Sequence, residues 1–141
     1  MILISHRGNL NGPNPEHENS PQIIKSVLSK NYHCEIDVWH MDGHFSLGHD
    51  KPSYPIEDKF LENDELWCHA KNLSALEKML QNSKIHCFWH QNDAFTITSR
   101  KYIWTYPGKP VGERSVIVSH SKKIPTFKLE ISGICSDYIE G

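Results

Sequence analysis

The chain has 141 residues, 38% of them hydrophobic and 23% charged, with a formal net charge of −2. That length gives one domain, residues 1–141, with a single core and no room for a second. The near-neutral balance excludes a basic field that would steer the molecule to nucleic acid or an anionic membrane, so no nucleic-acid partner is expected.

Met1-Ile2-Leu3-Ile4 is too short for a signal-peptide core or a membrane span and follows no basic leader. It reads as a first strand, Ile2–His6, and the mature protein is expected to begin here. Pro21–Lys30 reads as a helix, with Ile23, Ile24, Val27 and Leu28 on one face, Pro21 at the first position and Asn19 or Ser20 as its cap. Strand character returns at Cys34–Trp39 and, after an Asp42-Gly43 turn, at Phe45–Gly48. Leu66–Lys71 is the next strand. A second helix, Leu73–Gln81, carries Leu73, Leu76, Met79 and Leu80, with Asn72 or Ser74 to cap it. Five more strands are expected at His86–Gln91, Ala94–Thr98, Tyr102–Tyr106, Ser115–Ser119 and Gly133–Ile139. The links between them are short and rich in Gly, Pro, Ser and Lys.

Strand and helix alternating at the start predict parallel pairing through βαβ crossovers. The later links are too short for full helices. The expected fold is therefore α/β, a reduced TIM-barrel-like (β/α) fold with several outer helices missing. Its incomplete ring would expose strand edges that a homo-oligomer can cover. Cys34, Cys68, Cys87 and Cys135 stand singly in strands without a Cys-x-x-Cys pair, which predicts buried free thiols in a reducing cytoplasm. Of the ten histidines, His17, His33, His44 and His86 sit in polar contexts and are expected at the surface. His6, His49, His69 and His90 differ, because each closes an apolar strand-like run.

Ligand sites in parallel α/β folds lie at the carboxyl ends of the strands, where these histidines fall. Period-two alternation puts Glu35 and Asp37 on one face of their strand, with Cys34, Ile36 and Val38 on the other. Two carboxylates so close on a buried sheet repel each other unless a cation lies between them, and oxygen ligands suit Mg²⁺ or Ca²⁺; on an exposed edge strand they would simply be two solvated acids. On the next strand His69 and Lys71 share a face. His69 can complete the metal shell or donate a hydrogen bond, and Lys71 can meet a phosphate oxygen. His6 and His49 supply an imidazole pair for general acid–base work near neutral pH. Arg7 can grip phosphate oxygens bidentately, and Gly8 would let the backbone pass close to a ligand. His90 is either a structural strand-end residue or an additional ligand or catalyst. Trp39, Trp67, Trp89, Trp104, Tyr106 and Phe88 can line a head-group pocket or fill the core.

His6-Arg7-Gly8, Glu18-Asn19-Ser20, Glu35-Ile36-Asp37, Asp42-Gly43 and His49-Asp50 resemble, in order and spacing, the motifs of the glycerophosphodiester phosphodiesterase family, a cousin of the phosphatidylinositol-specific phospholipases C. The resemblance implies a (β/α)₈ barrel, His6 and His49 as the catalytic pair, and Glu35 and Asp37 as the first metal ligands. It also implies Arg7 as the phosphate-binding arginine and Glu18 and Asn19 as supports of the site. Ile103-Trp104-Thr105-Tyr106 is similar to the family's penultimate strand, and Gly133–Tyr138 to its last, with a small-residue-Asp ending. Where the family has Glu-x-Lys, this chain has His69-Ala70-Lys71, and it is much shorter than full family members.

The implied activity is metal-dependent cleavage of a small soluble phosphodiester, as in the metabolism of lipid-derived glycerophosphodiesters. A lyase that stops at a cyclic phosphate and a catalytically weak phosphate-binding module are the rival readings.

Overall fold

The computed structural model describes residues 1–140. Ten strands form one sheet: β1 (Ile2–His6), β2 (His33–Met41), β3 (His44–Leu47), β4 (Tyr54–Ile56), β5 (Leu66–Ala70), β6 (Cys87–Phe88), β7 (Phe95–Ile97), β8 (Ile103–Thr105), β9 (Ser115–Ser119) and β10 (Gly133–Ser136). Two α-helices, α1 (Pro21–Ser29) and α2 (Leu73–Leu80), join them, with one 3₁₀ turn at Asp58–Glu62. The α/β class expected from the sequence is present, and strand dominates it. Among the described residues no helix is long and apolar enough to cross a membrane.

Seven strands run parallel, in the order β6-β5-β2-β1-β10-β9-β8. β3 and β4 extend the far half of β2 as an antiparallel hairpin, and β7 pairs antiparallel with β8. The two ends of the parallel run approach each other. The Phe88 and Trp104 rings lie 4.6 Å apart, and Ser99 N–H donates to Cys87 O at 2.8 Å. Among the described residues no ladder joins β6 to β8.

Alternation along the strands sorts the apolar side chains to the two faces of the sheet, so the single core expected is divided by it. One face of β2 and β5 (Cys34, Ile36, Val38, Leu66, Cys68, Ala70) packs under Ile24 and Val27 of α1 and Ala75 and Met79 of α2. The helices form where the sequence caps them. Ser20 Oγ accepts from Ile23 N–H with Pro21 at the first position, and Asn72 Oδ1 accepts from Ala75 N–H. Gly8 lies at φ +94°, and a Cβ there would collide with the Ile23 side chain, so this glycine serves helix packing rather than ligand approach. The opposite sheet face gathers Ile4, Trp67, Phe88, Trp104, Val116 and Cys135. Between β9 and β10 the chain crosses without a helix, and Ile131 packs on Ile117 and Ile134 with Ile124 beside them. All four cysteines are free and buried, and burial raises each thiol pKa, which makes them inert packing groups.

Candidate metal centre

Register assembles the site on the Trp67–Trp104 face. His6 of β1 pairs with Glu35 of β2, and Asp37 of β2 pairs with His69 of β5, all near the carboxyl ends of their strands. Glu35 and Asp37 are 2% and 1% exposed, so neither charge is screened by water. One ligand atom from each of Glu35, Asp37 and His69 lies within 4.8 Å of the others, a geometry that can hold a metal ion.

The hydrogen bonds assign the imidazole tautomers. His69 Nε2 contacts His90 O at 2.8 Å, and a carbonyl only accepts, so Nε2 carries the proton. In the neutral ring Nδ1 is then a lone pair, and it faces Asp37 Oδ1 at 3.3 Å and Glu35 Oε2 at 3.6 Å. Three acceptors pointing at one another need a proton or a cation among them. Without a metal the proton supplies it. Burial disfavours a charged His69, but Asp37 and Glu35 outweigh burial and its pKa rises. Burial likewise opposes ionisation of Asp37, and His69, Arg7 and Asn19 more than offset it, holding Asp37 below the usual carboxylate range. Glu35 Oε1 and Asp37 Oδ1 are buried and have no hydrogen-bond partner within the protein. The orphaned Asp37 Oδ1, with Glu35 Oε2 and a correctly oriented imidazole beside it, fits a divalent cation, and Glu35 Oε1 is turned toward His6.

His6 is oriented in the same manner. Its Nδ1 contacts Asp137 Oδ1 at 2.8 Å and so donates, which leaves Nε2 as the lone pair, 3.9 Å from Glu35 Oε1. Burial lowers the basicity of His6, but Asp137 and Glu35 outweigh it and the pKa is raised. Asp137 also accepts from Asn9 Nδ2 at 2.8 Å.

Arg7 stands between these groups. Its Nη1 donates to Glu18 Oε1 at 3.3 Å, while Nε lies 3.3 Å from Asp37 Oδ2 without hydrogen-bond alignment. Asn19 clamps Asp37 twice, accepting from its N–H at 2.8 Å and donating to Oδ2 at 2.9 Å. Glu18 Oε2 accepts from Asn9 Nδ2 and Asn14 N–H, fixing the loop after β1. Asn19 thus holds Asp37 directly, whereas Glu18 holds the Arg7 guanidinium and the loop around it.

Two cavities meet at Arg7. A cavity of about 200 Å³ is lined by His6, Glu35, His69, His90, Trp104, Tyr106 and His120, and another of about 380 Å³ by Glu18, Asn19, His49, Asp50 and Tyr54. A larger groove of about 480 Å³ beside Met1, Ile124 and Phe127 gathers no comparable polar cluster.

His49 thus lies in the neighbouring cavity rather than beside His6. Its ring is well exposed, with Nδ1 2.8 Å from Asp50 Oδ1. Lys71 is half-buried outside both cavity walls, where its N–H donates to Val38 O. His90 lines the His6 cavity, supplies the carbonyl that orients His69, and places its own Nε2 2.8 Å from Asp93 O. Of the aromatic residues, Trp67, Phe88 and Trp104 are core, Trp104 and Tyr106 reach the cavity, Trp89 packs under the helices, and Trp39 Nε1 donates to Gly48 O.

His86 corrects the sequence reading. It is 2% exposed, bonded to Thr98 Oγ1 at 2.7 Å and packed against Trp67, because the aromatic core closes over it. Asp137 and His120 have roles the sequence reading did not assign. Both directly follow an apolar strand, close to the carboxyl-end positions that His6 and His69 occupy within theirs. Comparison with protein-family models, with curated proteins and with solved structures returned no match.

Proposed function

We propose that this chain is a metal-dependent phosphodiester hydrolase of the glycerophosphodiester phosphodiesterase type, on a reduced (β/α) barrel whose later helices are replaced by short links. One observation carries the reading: orphaned carboxylate oxygens and a tautomer-fixed His69 adjoin a carboxylate-backed His6, with Arg7 between two cavities. Seven parallel strands whose ends meet through Phe88 and Trp104 support the barrel.

Glu35, Asp37 and His69 would hold the cation, which supplies Lewis-acid polarisation of a phosphate oxygen and acidifies a neighbouring hydroxyl. The His69 nitrogen widens the fit beyond Mg²⁺ and Ca²⁺ to Mn²⁺. Arg7 receives equatorial phosphate oxygens, its charge held in place by Glu18. The two ester arms then lie in the two cavities. His6 Nε2, with its lone pair presented by Asp137, serves the arm on its side, and His49 the arm on the other. One takes the proton of the attacking hydroxyl or water as the other protonates the departing alcohol, and removal of either lowers the rate about 10²–10⁴-fold.

The test is hydrolysis of a panel of soluble glycerophosphodiesters by wild type, His6→Ala and His49→Ala, with Mg²⁺, Ca²⁺, Mn²⁺ or EDTA. Metal-dependent release of glycerol 3-phosphate, lost in both variants, is the expected result. Release of a cyclic phosphate alone assigns the lyase reaction instead. No turnover on any diester, with metal binding retained, refutes the enzyme and leaves a phosphate-binding module.

A further inference from the structure

Glu35 faces one imidazole nitrogen with each of its two oxygens. Oε2 lies 3.6 Å from His69 Nδ1, and Oε1 lies 3.9 Å from His6 Nε2. The two rings are prepared alike. His69 gives its other N–H to the His90 carbonyl and His6 gives its own to the Asp137 carboxylate, each at 2.8 Å. An N–H handed to a carbonyl or carboxylate is the arrangement that metal-bound histidines show, since it fixes the tautomer and raises the basicity of the free nitrogen. Glu35 Oε1 is buried, with no hydrogen-bond partner within the protein. Each contact needs a proton or a cation between its atoms, and ligand atoms each about 2.0–2.2 Å from one ion are separated by about 3–4 Å, which is the separation seen here.

A third donor stands at the same wall. The His120 ring lies edge-on to His6 with centroids 6.3 Å apart, lines the same cavity, and makes no side-chain hydrogen bond among the described residues. Two imidazoles on one ion place their ring centres about 5–6.5 Å apart, so little movement brings His120 to an ion bound by His6.

We infer that the chain has a second divalent-cation site, made by His6 Nε2, Glu35 Oε1 and His120, with Glu35 bridging it to the Glu35–Asp37–His69 site. The inference rests on the proposed first site through Glu35. Two imidazoles and one carboxylate select first-row ions such as Zn²⁺ or Co²⁺ over Mg²⁺ and Ca²⁺. Filling the site takes up the His6 lone pair, so it removes the group that serves as acid or base. Turnover supported by one ion therefore falls as Zn²⁺ or Co²⁺ occupies the second position.

Equilibrium dialysis of the full chain against Co²⁺ tests this, with the visible absorption of the bound ion as a second readout. Wild type is expected to bind two ions per chain, and His6→Gln one. His120→Ala, a change at an exposed side chain, is expected to weaken the second ion about tenfold or more and leave the first unchanged. A single ion in wild type, or two ions undiminished in both variants, overturns the second site and leaves the first standing. No binding at all overturns both sites together.

Discussion

Lowering the pH should destabilise the fold through one buried ring, His86. It is 2% exposed, its Nε2 is paired with Thr98 Oγ1, and its ring centroid is 4.3 Å from that of Trp67. Burial, with Arg100 and His33 adding like charge, depresses its pKa from 6.5 to about 3. The folded state thus refuses a proton that the unfolded chain accepts. Stability from this group is complete above the unfolded pKa near 6.5 and is lost as pH falls from there toward about 3. Each pH unit within that window removes up to about 1.4 kcal/mol, so between pH 7 and pH 4.5 the loss is about 2–3 kcal/mol. Other groups titrate in the same range, so the measured quantity is a difference. Urea unfolding followed by tryptophan fluorescence, on wild type and His86→Gln at both pH values, gives the two slopes. Wild type should lose about 2–3 kcal/mol more than the variant over this interval. Parallel losses would refute a buried neutral His86.

Asn19→Ala removes both bonds to Asp37 and strands a buried N–H beside a buried carboxylate. It should destabilise by about 2–4 kcal/mol in urea unfolding and weaken the first metal ion at least about tenfold in dialysis. A loss below about 1 kcal/mol with unaltered metal affinity would show that Asn19 does not hold the ligand. Asp137→Asn takes away the carboxylate that, against burial, raises the His6 pKa. The NMR-monitored His6 titration should move to lower pH and kcat should fall about 10²-fold or more, whereas an unmoved titration contradicts the Asp137–His6 pairing.

Much of the fold is legible in the sequence because strand ends, caps and turns are local. Ile2–His6 and Ser115–Ser119 carry their full apolar runs, and Ser20 and Asn72 cap the helices. β4 escapes because Tyr54-Pro55-Ile56 is only three residues with a central proline, tolerable only at a sheet edge. The last strand stops at Ser136 rather than Ile139, since Asp137 turns to His6 and Asn9 and Tyr138 N–H donates to Ser136 Oγ. At the site, the shared face of Glu35 and Asp37 follows from period two alone. That Asp137 reaches His6 does not, because it depends on β10 pairing with β1 across more than 120 residues. His86 is misread for the same reason: Trp67 and Tyr102, not its sequence neighbours, bury it.

The backbone around the carboxylates places two side chains in an unusual conformation. Arg7 and Asn19 both lie in the left-handed region, at φ 59° and 66°, which asparagine adopts readily but which costs an arginine about 1 kcal/mol. The two positions are tied together and to the site: Arg7 N–H donates to Glu35 O and Asn19 N–H to Arg7 O. Arg7 neutralises the buried carboxylates, pairing with Glu18 and lying beside Asp37, yet its Nε is buried without a hydrogen-bond partner of its own. The strain becomes intelligible if the conformation aims Arg7 at the junction of the two cavities while Asn19 fixes Asp37. Under that reading the unpaired donor of Arg7 and the unpaired oxygen of Asp37 are complementary. The donor would meet a phosphate oxygen and Asp37 Oδ1 a cation in the first site, while Glu35 Oε1 stays turned toward His6.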